Sequence, residues 1–129
     1  MSDTHQSPGK QFNTLDFASV QVRDLEASRQ YYTEVLGFEV SPEGPPHAVV
    51  FKNDAGAIFA IRTPLTDLGS APKLGLGASF WFAVPDADDL HDRVVEKGGT
   101  IAMPIQDGPF GRMFVVIDPD GYSLTFHQA

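Results

Sequence analysis

The hexapeptide Phe17-Ala-Ser-Val-Gln-Val22 alternates with period two. Ala18, Val20 and Val22 fall on one face, Phe17, Ser19 and Gln21 on the other. The same alternation returns in Ser79-Phe-Trp-Phe-Ala-Val84, with Phe80, Phe82 and Val84 set against Ser79, Trp81 and Ala83. Each hexapeptide predicts a strand whose more apolar set packs against helices. Each runs through an aspartate, Asp24 or Asp86, into a stretch whose apolar residues recur near helical spacing: Leu25, Tyr32, Val35 and Leu36, then Leu90, Val94 and Val95. An aspartate there can accept backbone N–H bonds as a helix cap, and Gly37 and Gly98 suit the left-handed residue that closes a helix.

Further strand signals follow each helix. They are Glu39–Ser41, His47–Lys52 and Ala57–Arg62 in the first half, and Thr100–Met103, Arg112–Ile117 and Tyr122–His127 in the second. The chain therefore repeats itself as βαβββ twice, at an offset of 62 residues in the first strands and 65 in the last hairpins. Asn53-Asp-Ala-Gly56 and Asp118-Pro-Asp-Gly121 are the matching hairpin turns. The organisation expected is a flexible tail over 1–13 and a single domain over 14–129. Its modules are 14–63 and 79–128, joined by the Gly/Pro-rich linker 64–78, which is long enough to fold over a pocket as a lid.

Composition narrows the chemistry. A chain of 129 residues with 42% hydrophobic residues can bury a core. There is no cysteine, which excludes disulfides, thiolate metal centres and thiol nucleophiles. A net charge of −8 disfavours nucleic acid and favours cations. No apolar run approaches the roughly 20 residues of a membrane span, and Met1–Lys10 lacks the features of a secretion signal, so a cytoplasmic protein without membrane contact is expected.

Two stretches resemble a known superfamily: Val22-Arg-Asp-Leu-Glu-Ala-Ser-Arg-Gln-Tyr-Tyr-Thr-Glu-Val-Leu-Gly-Phe38 and Asp118-Pro-Asp-Gly-Tyr-Ser-Leu-Thr-Phe126. With the capped helix between them they are similar to the vicinal oxygen chelate proteins, the glyoxalase/bleomycin resistance/dioxygenase superfamily. The resemblance covers about residues 14 to 128. It implies an α+β fold of two βαβββ modules forming a curved mixed sheet around a cavity, commonly in a homodimer. It also implies four metal-ligand positions, usually two His and two Glu. By counting from the capping aspartates and hairpin glycines these fall on Phe17, Ala60, Ser79 and Thr125. Neither Phe nor Ala can ligate, and neutral Ser and Thr hydroxyls are poor ligands. A shift of one residue would bring in Asp16, Ile61, Phe80 or Phe126, still with at most one ligand. No metal and no cofactor are expected.

Alternation then assigns a cavity set of aromatic, small and polar residues: Phe17, Ser19 and Gln21, then Ser79, Trp81 and Ala83, with Ile58, Ala60 and Arg62 paired against Ser123, Thr125 and His127. Such a mixture suits a small organic ligand. Trp81 leads the candidate contacts, weighed against an ordinary core Trp. Arg62 and His127 are candidates for an anionic group or for acid and base work, weighed against a solvated rim. Phe110, in the Gly-rich turn Gly108-Pro-Phe-Gly111, is a candidate cover. His91 is expected to be exposed, and the orientation of His47 is open.

The function expected is metal-independent binding of a small organic molecule, similar to the antibiotic-sequestering members of the superfamily, with a cationic ligand favoured by the acidic charge. The alternative is a lyase, isomerase or dioxygenase of the glyoxalase or extradiol type, metal-dependent or metal-free. A dimeric accessory module with a filled cavity is a third reading.

Overall fold

The structure is a computed structural model that describes residues 15–129. The tail expected over 1–13 lies outside the described residues. Two four-stranded sheets follow one another along the chain. The first comprises β1 (Ala18–Gln21), β2 (Glu39–Val40), β3 (Ala48–Asn53) and β4 (Gly56–Arg62), in the order β1-β4-β3-β2. The second comprises β5 (Ser79–Val84), β6 (Thr100–Gly108), β7 (Gly111–Ile117) and β8 (Ser123–Gln128), in the matching order β5-β8-β7-β6. In each sheet the first and last strands pair in parallel and the other neighbours antiparallel. Both sheets are mixed and open, so among the described residues β1 and β5 each keep a free edge. The cavity expected from the sequence is therefore not enclosed within this single chain.

The crossover helices are α1 (Leu25–Gln30) and α2 (Ala87–Glu96). Their aspartates cap as expected: Asp24 accepts from Ala27 N and Asp86 from Asp89 N, each at 3.0 Å. α1 is shorter than its pattern suggests, because Tyr31–Val35 forms a π-helical turn in which Leu36 N bonds Tyr31 O. At this point Thr33 Oγ1 donates to Arg29 O at 2.8 Å, a side-chain bond to the preceding turn of the kind that perturbs regular helices.

The strand faces assigned by alternation differ in exposure on the edge strands β1 and β5, whereas Ala60 and Thr125 of the cavity set are buried on the central strands. Val20, Val22, Phe59, Ile61, Phe114, Leu124 and Phe126 are buried, while Ser19, Ser79, Trp81 and Ala83 are exposed. One aromatic core serves both sheets. Phe59 lies 5.5 Å from Phe80 and from Phe82, and Phe38 lies 5.2 Å from Phe82. Each fully buried Phe stabilises by about 1.5–3 kcal/mol.

The linker is packed rather than draped. Leu68 and Leu74 are buried in the core, and Leu65 N donates to the Gln21 side chain at 2.7 Å. Gly75, at φ +73°, lies against Tyr122, where a Cβ would meet the ring at 2.5 Å. His91 is half-buried rather than exposed, edge-on to Phe114 at 5.3 Å, because α2 turns that side of itself toward β7.

A buried polar joint locks the second hairpin turn to α1. Asp118 Oδ1 accepts from Asp120 N and Tyr122 N at 2.9 Å, and its Oδ2 accepts from Tyr32 Oη at 2.6 Å. Asp120 accepts from Arg23 N at 2.9 Å and from Ser28 Oγ at 3.2 Å, and Tyr122 Oη donates to Gln21 O at 2.6 Å. The repeat-related turn has Ala55 where this one has Asp120. In its place lies a cleft of about 370 Å³ bordered by Phe38, Asn53, Asp54 and Leu90.

Candidate functional site

The free edges of β1 and β5 border a cleft of about 530 Å³. Phe17, Ser79 and Trp81 line it together with Asp16, Asn53 and Ile58. Phe80 and Phe82 also reach it, although alternation sends them to the core side. The reason is geometric: an edge strand offers both faces to whatever lies beside its unpaired edge. Asp16, which the sequence offers only as a one-residue shift, is the one charged residue lining this cleft among the described residues. No residue of the linker 64–78 lines it, so the lid expected from that segment is not where the cleft is.

Trp81 is 49% exposed and Phe17 38% exposed, high values for large aromatics in a folded chain. Trp81 forms a corner with two rings outside the cleft lining. Phe110 meets it edge-on at 6.0 Å, and His127 lies tilted against it at 5.9 Å. His127 Nδ1 bonds the backbone oxygen of Phe110 at 3.1 Å, tying β8 to the turn between β6 and β7.

The remaining sequence candidates divide. Thr125 pairs with Trp81 in the ladder and is buried, and Ala60 pairs with Ser19 and is also buried. Arg62 pairs with Gln21, and its Nε donates to Thr63 O at 3.1 Å. Arg62 is not among the residues lining the cleft, so the structure does not join it to His127 there.

The four positions that the resemblance implies for metal ligands do not fit a divalent ion. Phe17 and Ser79 are at the cleft, Ala60 and Thr125 sit on the central strands, and together they offer only two neutral hydroxyls. Among the described residues no three His, Asp or Glu side chains gather into a metal-binding group.

The strongest pKa perturbations lie in the joint, away from the cleft. Burial raises the Asp118 carboxyl above its ordinary 3.8, against the lowering effect of the Tyr32 hydrogen bond. Burial also raises Tyr32, and it pushes Tyr31 up to about 12, in each case with the charge of Asp118 adding to the shift.

The model of the Glyoxalase/Bleomycin resistance protein/Dioxygenase superfamily matches residues 14–126. The chain belongs to this superfamily. Among relatives, it is 28% identical over 123 residues to the Mycobacterium tuberculosis (strain CDC 1551 / Oshkosh) protein CFP32, which is named as a glyoxylase, covering 90% of this chain and 46% of that one. It is 30% identical over 115 residues to the anthracycline biosynthesis protein DauV of Streptomyces sp. (strain C5), covering 79% of this chain and 42% of that one. The chain thus spans less than half the length of these curated relatives. The bleomycin-binding protein of Streptomyces verticillus, solved with copper(II)-bleomycin, superimposes with a TM-score of 0.66 at 23% identity, over 92% of this chain and 98% of that one. That likeness shows the fold. Among the described residues no helix is long and apolar enough to cross a membrane.

Proposed function

We propose that this chain binds a small organic molecule, without a metal, in the cleft between β1 and β5. The observation that carries the reading is the half-exposed indole of Trp81 on the wall of that cleft, beside Phe17 and Ser79. Leaving a large aromatic in water forgoes burial worth about 1.5–3 kcal/mol, which a ligand covering it recovers. The cleft volume suits a drug-sized molecule, and apolar walls with few polar groups are typical of such sites. Asp16 favours a cationic ligand. The names of DauV and of the bleomycin-binding protein point to antibiotic-like molecules as the first ligands to try.

A second copy of the chain completes the site in this reading. Met103, Val115, Thr125 and Trp81 follow one another across the ladders on one face of the second sheet, with Phe110 beside them. Phe110 is 66% exposed and Met103 is also exposed, which is the apolar surface an association covers. Analytical ultracentrifugation should therefore find a dimer.

Trp81 is the single Trp, so its fluorescence reports the cleft directly. Titration with metal-free bleomycin, an anthracycline and other planar natural products should give saturable quenching by at least one, with matching heat by calorimetry. Absence of saturable binding across the series would overturn the reading.

A further inference from the structure

His127 holds more chemistry than its place on a strand suggests. It stands on β8 beside Ala83 of β5, with its ring 5.9 Å from that of Trp81. Its Nδ1 lies 3.1 Å from the carbonyl oxygen of Phe110. A carbonyl oxygen has no hydrogen to give, so Nδ1 carries the hydrogen and donates it. In the neutral ring Nε2 is then a bare acceptor.

The partner of that bond belongs to a constrained turn. Gly111 has φ +103°, and a Cβ on it would collide with the backbone oxygen of Gln128. The turn is thus held close to the end of β8, and the Phe110 carbonyl is presented to His127 by the backbone itself. Arg112, next to Gly111 in the chain, is engaged with Asp88 and Asp107 at 3.3 Å. The corner offers aromatic surface from Trp81 and Phe110 and one acceptor of fixed identity.

Resting on the ligand-binding reading above, the geometry points to His127 as a specificity-determining residue. The Trp81, Phe110 and His127 corner takes a planar group that carries an N–H donor, and Nε2 of His127 accepts that hydrogen. Planar ligands without an N–H donor leave Nε2 unsatisfied and bind more weakly.

The ring-N-methylated forms of proflavine and acridine orange are a matched pair of planar, permanently cationic probes with no ring N–H, the first with two amino groups and the second with those groups fully methylated. At pH 8, Trp81 quenching should show the N-methylated proflavine binding about ten-fold more tightly, the worth of one hydrogen bond left unmade. His127→Asn keeps an amide N–H within reach of the Phe110 carbonyl and has nothing in place of Nε2, so the preference should fall toward one. A wild-type ratio near one, or an unchanged ratio in His127→Asn, overturns this proposal and leaves the cleft reading standing. Failure of both dyes to quench wild-type Trp81 overturns the two together. Nitrogen-15 NMR of the unliganded wild-type protein supplies a measurement that needs no variant: its His127 ring should carry hydrogen on Nδ1, and hydrogen on Nε2 alone overturns the proposal.

Discussion

Tyr32 donates its phenolic hydrogen to Asp118 Oδ2 across 2.6 Å, joining the turn after α1 to the last hairpin of the chain. Both residues are buried, and 86 positions separate them in sequence. The bond therefore reports the docking of one half on the other. Tyr32→Phe keeps the ring that stacks on Phe51 and removes the one side-chain donor to Asp118 among the described residues. We expect a loss of about 1–3 kcal/mol in urea denaturation, the cost of a buried charged acceptor short of a partner. A loss under about 0.5 kcal/mol, the scale of an ordinary surface substitution, would show that the joint does not hold the halves together.

The same joint sets a pH dependence. Asp118 has a folded-state pKa above its ordinary 3.8, chiefly because it is buried. A carboxyl that binds its proton more tightly when folded favours the folded state below the unfolded pKa. That contribution is lost as pH rises through the raised folded value. Stability should thus fall on going from below pH 3.8 toward neutrality, to the extent that Asp118 governs it. Asp118→Asn removes the buried charge while its amide can still accept from the backbone N–H groups and donate to Tyr32 Oη. Urea midpoints across this range should flatten in the variant, and an identical slope in both proteins would refute the assignment.

The joint also shows what the sequence could and could not tell. The repeated strand, cap, helix and hairpin pattern was legible because Asp24, Asp86, Gly37 and Gly98 act on their own neighbours. Asp118 and Asp120 were legible only as turn residues, since a turn aspartate looks alike whether it faces water or a tyrosine from the other half. The cleft was half legible. Alternation placed Phe17, Ser79 and Trp81 on one face, and all three line it. It could not place Asp16, Phe80 and Phe82 there, because period two sorts faces and is silent about a strand's open edge. β6 shows a similar limit: register shifts between Ile101 and Gln106 carry it past the expected end to Gly108, and bulges leave no simple period.

Gly75 provides a test of the linker. Its positive φ and its contact with Tyr122 leave no room for a side chain, and Tyr122 Oη is the donor to Gln21 O. Gly75→Ala should cost about 1–3 kcal/mol from the backbone conformation alone. Displacement of the Tyr122 ring should add to this and speed amide exchange around Gln21. A variant as stable as the parent would mean that the linker packs loosely against the second hairpin.

Charge at the cleft should act weakly and at a distance. Among the described residues Asp16 is the only charged group lining it, and it is exposed, so its attraction for a cation is screened by water. Asp16→Asn should weaken proflavine binding by less than about five-fold at low salt, within the roughly 0.2–1 kcal/mol of an exposed ion pair. At about 1 M salt, where screening acts over roughly 3 Å, wild type and variant should converge. Removal of the Trp81 ring should behave differently, because covering aromatic surface is insensitive to screening: Trp81→Ala should weaken calorimetric binding to a similar degree at both salt concentrations. If Asp16→Asn had the larger effect and that effect persisted in high salt, the cleft would be a buried charge site rather than the aromatic one described above.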